Sequence, residues 1–202
     1  RGLPARAGDR PRQDRRGRHG RVAAALQLRE PQAGETVALL VSDRHDNIGM
    51  DAVARAIGDR GGATAVLDAG DDTSTGSDWE AFSLDSLNRA FRGYDRYAVA
   101  GNHDNGTFVG KYLAKLGWTM LDGSVTTGPG GISLLGIDDP RSSGLGNWRD
   151  ESGVTFGSVA DDLAVTACAE RQAVALMLVH DANLGKPSLA RGCVQVVVGG
   201  HL

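Results

Sequence analysis

A chain of 202 residues with 41% apolar content can bury the core of one domain. Residues 1–22 carry eight Arg against two Asp, a charge of +6, so the overall −3 leaves the remainder at −9. So acidic a body argues against a nucleic-acid surface. No apolar run reaches the roughly 18 residues of a membrane span.

Residues 1–21 are rich in Arg, Gly and Pro with almost no large apolar side chain. They predict a disordered arm or linker, leaving 22–202 as the folded domain. No apolar segment follows the basic start, so no signal peptide is read. The chain opens without Met and ends just after a histidine, as a fragment would. An upstream signal or anchor stays open; the cytoplasm is the default compartment.

Residues 22–28 predict a first strand. Residues 36–41 are continuously apolar, the pattern of a strand covered on both faces, and lead into Ser42-Asp43-Arg44-His45. Met50, Val53, Ala54 and Ile57 recur at helical spacing until Gly61-Gly62. A strand over 63–69 runs into Gly70-Asp71-Asp72, and a polar loop follows with Asp78 as helix N-cap. Trp79, Phe82, Ser83, Ser86, Leu87, Ala90 and Phe91 predict the core stripe of that helix.

The apolar run 97–100 opens into Gly101-Asn102-His103-Asp104. Phe108, Val109, Tyr112, Leu113 and Leu116 predict the next helix, closed by Gly117. Short strands follow at 118–121, 124–127 and 131–137, with Gly128-Pro129-Gly130-Gly131 as a turn. Residues 138–153 read as a long polar loop and 155–172 as a helix. Strands at 173–179 and 193–198 end in His180-Asp181 and Gly199-Gly200-His201. Cys168 and Cys193 lie in apolar surroundings without a CxxC pair, and predict buried small hydrophobes with no disulfide framework.

Alternating strands and helices imply a mostly parallel sheet, with ligands bound beyond the carboxyl ends of its strands. Five apolar strands end in metal-competent residues: Asp43 with His45, Asp71, Asn102 with His103, His180, and His201. Four of the five histidines occupy these ends; His19 alone does not. Oxygen and imidazole donors suit Mn, Fe, Zn or Ni. Asp71 can bridge two cations, and two cations about 4 Å apart activate a water and clamp a phosphoryl group. His103 is then the proton donor to a leaving alkoxide, with Asp104 holding its tautomer. Arg141 is a candidate phosphate contact, and Trp148 and Arg149 belong to an exposed loop. Thr73 to Gly76 are read as shaping the pocket near Asp71. Ser42 lacks a nucleophile elbow.

Asp43-x-His45, Gly70-Asp71, Gly101-Asn102-His103-Asp104, His180 and Gly200-His201 resemble, in order, the five motif blocks of the calcineurin-like metallophosphoesterases. The resemblance covers residues 36–202. It implies a two-layer β-sandwich of mixed, largely parallel sheets flanked by helices, in the α/β class, around two divalent cations. It assigns Asp43, His45 and Asp71 to the first metal and Asp71, Asn102, His180 and His201 to the second. His103 falls at the proton-donor position. The family's last block is Gly-His-x-His, and the chain stops at Leu202, one residue short. The domain is therefore expected to be incomplete at its C-terminus, its first metal short of one ligand, and its activity impaired. The expected function is hydrolysis of a small phosphomonoester or phosphodiester. The alternatives are a non-catalytic scaffold or regulator of the same fold and a nuclease-type enzyme tethered by the Arg-rich arm.

Overall fold

The structure, a computed structural model, describes residues 20–21, 23–143 and 154–201. The rest of the Arg-rich arm, Val22, the loop tip with Trp148 and Arg149, and Leu202 lie outside them.

Among the described residues eight strands form two four-stranded sheets. The first contains β1 (Ala38–Val41), β2 (Ala65–Asp68), β3 (Asp95–Ala98) and β4 (Thr119–Met120), in that order and all parallel. The second orders β5 (Thr126–Thr127), β6 (Ser133–Ile137), β7 (Val174–Val179) and β8 (Val194–Val198). Only the β5–β6 pairing is antiparallel. The crossovers of the first sheet are α1 (Asp51–Arg60), α2 (Ala81–Ala90) and α3 (Phe108–Lys115); α4 (Phe156–Ala169) and α5 (Lys186–Ala190) serve the second.

The period-2 geometry of strands sorts the apolar residues into three cores. Val66 and Ala98 pack outward against Leu84, Leu87 and Phe91 of the α2 region and Val109 and Leu113 of α3. Their neighbours Leu67 and Val99 face the opposite way and meet Leu134 and Leu178 of the second sheet. Met177 and Val179 flank Leu178 and turn to the other side, onto Val159, Leu163 and Ala167 of α4. The molecule is thus two facing sheets with helices on both outer sides, an α/β architecture in which each buried Leu or Phe contributes about 2 kcal/mol. Among the described residues no helix is long and apolar enough to cross a membrane.

Several local expectations are corrected. Of the strand expected over 22–28, the described residues 23–28 form none: Ala23 and Ala24 are helical, and irregular chain follows. Alanines favour helix, and β1 is the edge of its sheet with β2 its one neighbour there. The N-cap before α2 is Ser77, one residue ahead of Asp78, in a capping box with Glu80. A 3₁₀ turn at Asp78–Glu80 precedes α2, and its tighter winding rotates the face that follows. Buried Glu80 accepts from the amides of Ser74, Thr75 and Ser77, whereas Trp79 and Phe82 are 64% and 44% exposed. The core stripe is therefore Ser83, Leu84, Leu87 and Phe91.

Cys168 and Cys193 are joined in a disulfide, contrary to the expectation of two independent buried thiols. Packing of α4 on the second sheet brings the end of that helix beside the residue preceding β8. The Cα atoms stand 4.9 Å apart, within reach of a disulfide. A separation of 25 residues carries no motif that would announce the pairing.

Candidate metal centre

Parallel pairing puts the carboxyl ends of β1, β2 and β3 side by side, with Val41, Asp68 and Ala98 in register. Beyond them the first two loops are zipped by backbone hydrogen bonds from Asp43, His45 and Asp46 amides to the carbonyls of Gly70, Asp71 and Asp72. Asp43, His45, Asp46 and Asp71 all hold positive φ, between 44° and 63°. Left-handed backbone costs a non-glycine residue about 1–2 kcal/mol, and such strain concentrates at functional sites. Gly101 permits the close approach of the third loop, because a Cβ there would collide with the Asp71 carboxylate. From the second sheet His180 follows β7, and His201 pairs with Asp181 in an isolated parallel bridge.

These ends bring the expected residues together. One potential ligand atom each from Asp43, Asp71, His180 and His201 falls within a mutual 4.8 Å, and the same holds for His45, Asp71 and His103. Asp71 belongs to both groups. The groups divide the side chains differently from the two sets implied by resemblance: Asp43 joins His180 and His201, and His45 joins His103.

Buried His180 is the centre of this arrangement. Its Nδ1 lies 2.7 Å from the Ala69 carbonyl, which makes Nδ1 the donor. Its Nε2 then faces Asn102 Oδ1 at 2.7 Å and Asp71 Oδ2 at 3.3 Å. In the neutral imidazole three lone-pair-bearing atoms converge there, and either a second proton on His180 or a cation reconciles them. Burial opposes the imidazolium, but the hydrogen bond and charge of Asp71 outweigh it and hold His180 above the ordinary histidine value. Burial likewise raises Asp71, yet hydrogen bonds from His180 and the His103 amide leave it below the usual carboxylate range.

His103 is half-buried, with Nδ1 3.3 Å from the Ser74 carbonyl and its ring edge-on to His45 at 4.8 Å between centroids. His45 reaches Asp71 Oδ2 at 3.6 Å. Of the loop expected to shape this pocket, Ser74 borders the cluster through its carbonyl. Ser42 hydrogen-bonds to the Gly70 carbonyl.

Two expected roles are corrected. Asp104 does not orient His103. Its carboxylate, fully buried, accepts from the amides of Asp71, Asp72, Thr73 and Gly101 and from the Thr73 hydroxyl. Burial and the charge of Asp72 push its pKa up to about 7 against those donors. Arg141 does not present a free fork to phosphate: its guanidinium is bidentate on Asp139, reaches Asp181 Oδ2 at 2.9 Å, and lies over the Phe156 ring. Three partners hold it between the 138–143 loop and the turn after His180.

Arg44 is the residue missed. It lies between Asp43 and His45 and is 7% exposed. Its Nε binds Asp72 and its Nη1 binds Asp51, both at 2.8 Å. A residue between two ligands must point away from both, so burial of the middle position in Asp-x-His was open to inference. Asp68, behind it, is wholly buried and held well above the usual carboxylate range by burial and Asp72. Its Oδ1 accepts from the Gly70 amide.

Compared with known proteins, the chain matches no protein-family model and no curated protein.

Proposed function

We propose that this chain is a metal-dependent phosphoesterase of the calcineurin-like kind, hydrolysing a phosphomonoester or phosphodiester. Asp43, His45, Asp71, Asn102, His180 and His201 are the residues that would hold two divalent cations of the Mn, Fe, Zn or Ni type. The observation that most supports this reading is Asp71: one buried carboxylate on strained backbone, grouped with Asp43, His180 and His201 on one side and 3.6 Å from His45 on the other, facing a histidine whose other nitrogen is already committed. Such a cation pair supplies a water of near-neutral pKa and a clamp for phosphoryl oxygens.

The protein's own groups take the remaining tasks. The Ala69 carbonyl accepts from His180 Nδ1 and fixes the imidazole so that Nε2 faces the cluster, with Asn102 Oδ1 2.7 Å away on the same side. The His103 amide secures Asp71 Oδ1 at 2.7 Å. With its Nδ1–H on the Ser74 carbonyl, His103 in its imidazolium form would give the Nε2 proton to a leaving alkoxide and be left neutral. The buried Arg44 pairs lock the loop carrying Asp43 and His45 to the loop carrying Asp71.

Hydrolysis of p-nitrophenyl phosphate and bis-p-nitrophenyl phosphate with added Mn²⁺ tests the proposal and separates monoesterase from diesterase. Turnover of either that is abolished by EDTA supports it. Bound metal with turnover of neither favours a non-catalytic scaffold.

A further inference from the structure

The Gly-Asn-His-Asp loop borders a second space. Ala100 at its start and Gly106 and Thr107 at its end line a cavity of about 710 Å³, within the range of small-molecule sites. Met120 and Leu121 at the end of β4, Ile137 of β6 and Val159 of α4 give it apolar walls. The α3 wall is set back by missing side chains: a Cβ at Gly110 would approach only the tip of Met120, at 3.8 Å.

The carboxylates around this space are each engaged by a neighbour: Asp122 takes the amide and hydroxyl of Ser124, Asp138 takes the Ala100 amide, and Asp139 takes Arg141. Most of the remaining lining is hydrocarbon, so these walls favour an apolar occupant. Among the described residues Lys111 is the one cation of the lining.

We propose that this cavity receives the apolar chain of an amphiphilic phosphate ester whose phosphoryl group lies at the metal centre. The inference rests on the phosphoesterase reading and adds the class of alcohol. One loop carries Asn102 and His103 toward the metal cluster and lines the cavity with both its ends. A substrate lying across that loop is held by its charge on one side and by its chain on the other.

The test is calorimetric titration of the Mn²⁺-loaded protein with inorganic phosphate and with ethyl, butyl, hexyl and octyl phosphate. Affinity is expected to rise about threefold to fourfold for each buried methylene. Gly110→Leu and, independently, Ala114→Leu fill the space and flatten that rise while leaving inorganic phosphate binding unchanged; thermal melts confirm that each variant folds. Phosphate binding with no dependence on chain length, or a rise unaltered in both folded variants, overturns the cavity assignment alone. Binding of neither phosphate nor any alkyl phosphate overturns the phosphoesterase reading with it.

Discussion

Asp104 is fastened to Thr73: one carboxylate oxygen accepts both the amide and the hydroxyl of that residue, at 2.9 and 2.7 Å. Its other oxygen takes the amides of Asp71 and Gly101 at 2.7 and 3.0 Å. The last residue of the Gly-Asn-His-Asp stretch is thus a clamp on the loop that presents Asp71. Asp104→Ala leaves these buried donors without a partner, and each such loss costs about 1–3 kcal/mol. A destabilisation of about 3 kcal/mol or more in urea unfolding is expected, together with weakened metal binding. A variant as stable as the parent contradicts the clamp.

Arg44 neutralises two carboxylates that are themselves out of solvent. Arg44→Met leaves Asp51 and Asp72 uncompensated, and breaking a buried pair in this way costs about 3–5 kcal/mol. Arg44→Lys recovers only part of the loss, because an ammonium cannot fork between two acceptors. Equal stability of the Lys variant and the parent would refute the bidentate role.

What the sequence revealed and what it hid follow from the range of the interactions. The strand ends at Asp43, Asp71, Asn102, His180 and His201 were legible because continuous apolar runs mark buried parallel strands and the polar residue after each run marks the rim. The partition into two facing sheets was expected through family resemblance, and the two sheets themselves are observed. Some of the missed features depend on contacts distant in the chain and others on local turns. The Cys168–Cys193 bridge needs α4 packed on the second sheet. The inward turn of Glu80, with Trp79 left outside, needs a 3₁₀ turn whose acceptor serves three amides of the preceding loop. Asp104 binds chiefly the loop of Asp71 and Thr73, and Arg141 joins its near neighbour Asp139 to Asp181 on another loop, so adjacency to His103 and a position in a polar segment were misleading guides.

The disulfide closes a loop of 25 residues. A cross-link over such a loop stabilises by about 3 kcal/mol in the chain-entropy account. The Cys168→Ser, Cys193→Ser double variant is expected to melt about 6–12 °C lower while keeping its metal stoichiometry, since neither cysteine belongs to the cluster. An unchanged melting temperature under oxidising conditions contradicts the bridge.

His103→Gln separates chemistry from assembly. The variant is expected to keep its metals, because Asp43, His45, Asp71, Asn102, His180 and His201, the residues proposed to hold them, are untouched, and to lose the proposed proton donor. Turnover is expected to fall about a hundredfold or more. Normal turnover refutes the assigned role.

The shared carboxylate is the centre of the account, and elemental analysis by ICP-MS measures it most directly. After equilibrium dialysis against excess Mn²⁺, the chain is expected to bind up to two equivalents, and Asp71→Asn, with its fold confirmed by circular dichroism, to lose most of what the parent binds, since one group would serve the two sites of a dinuclear clamp. Occupancy near zero in the parent, or the same occupancy in the folded Asp71→Asn variant, would contradict it.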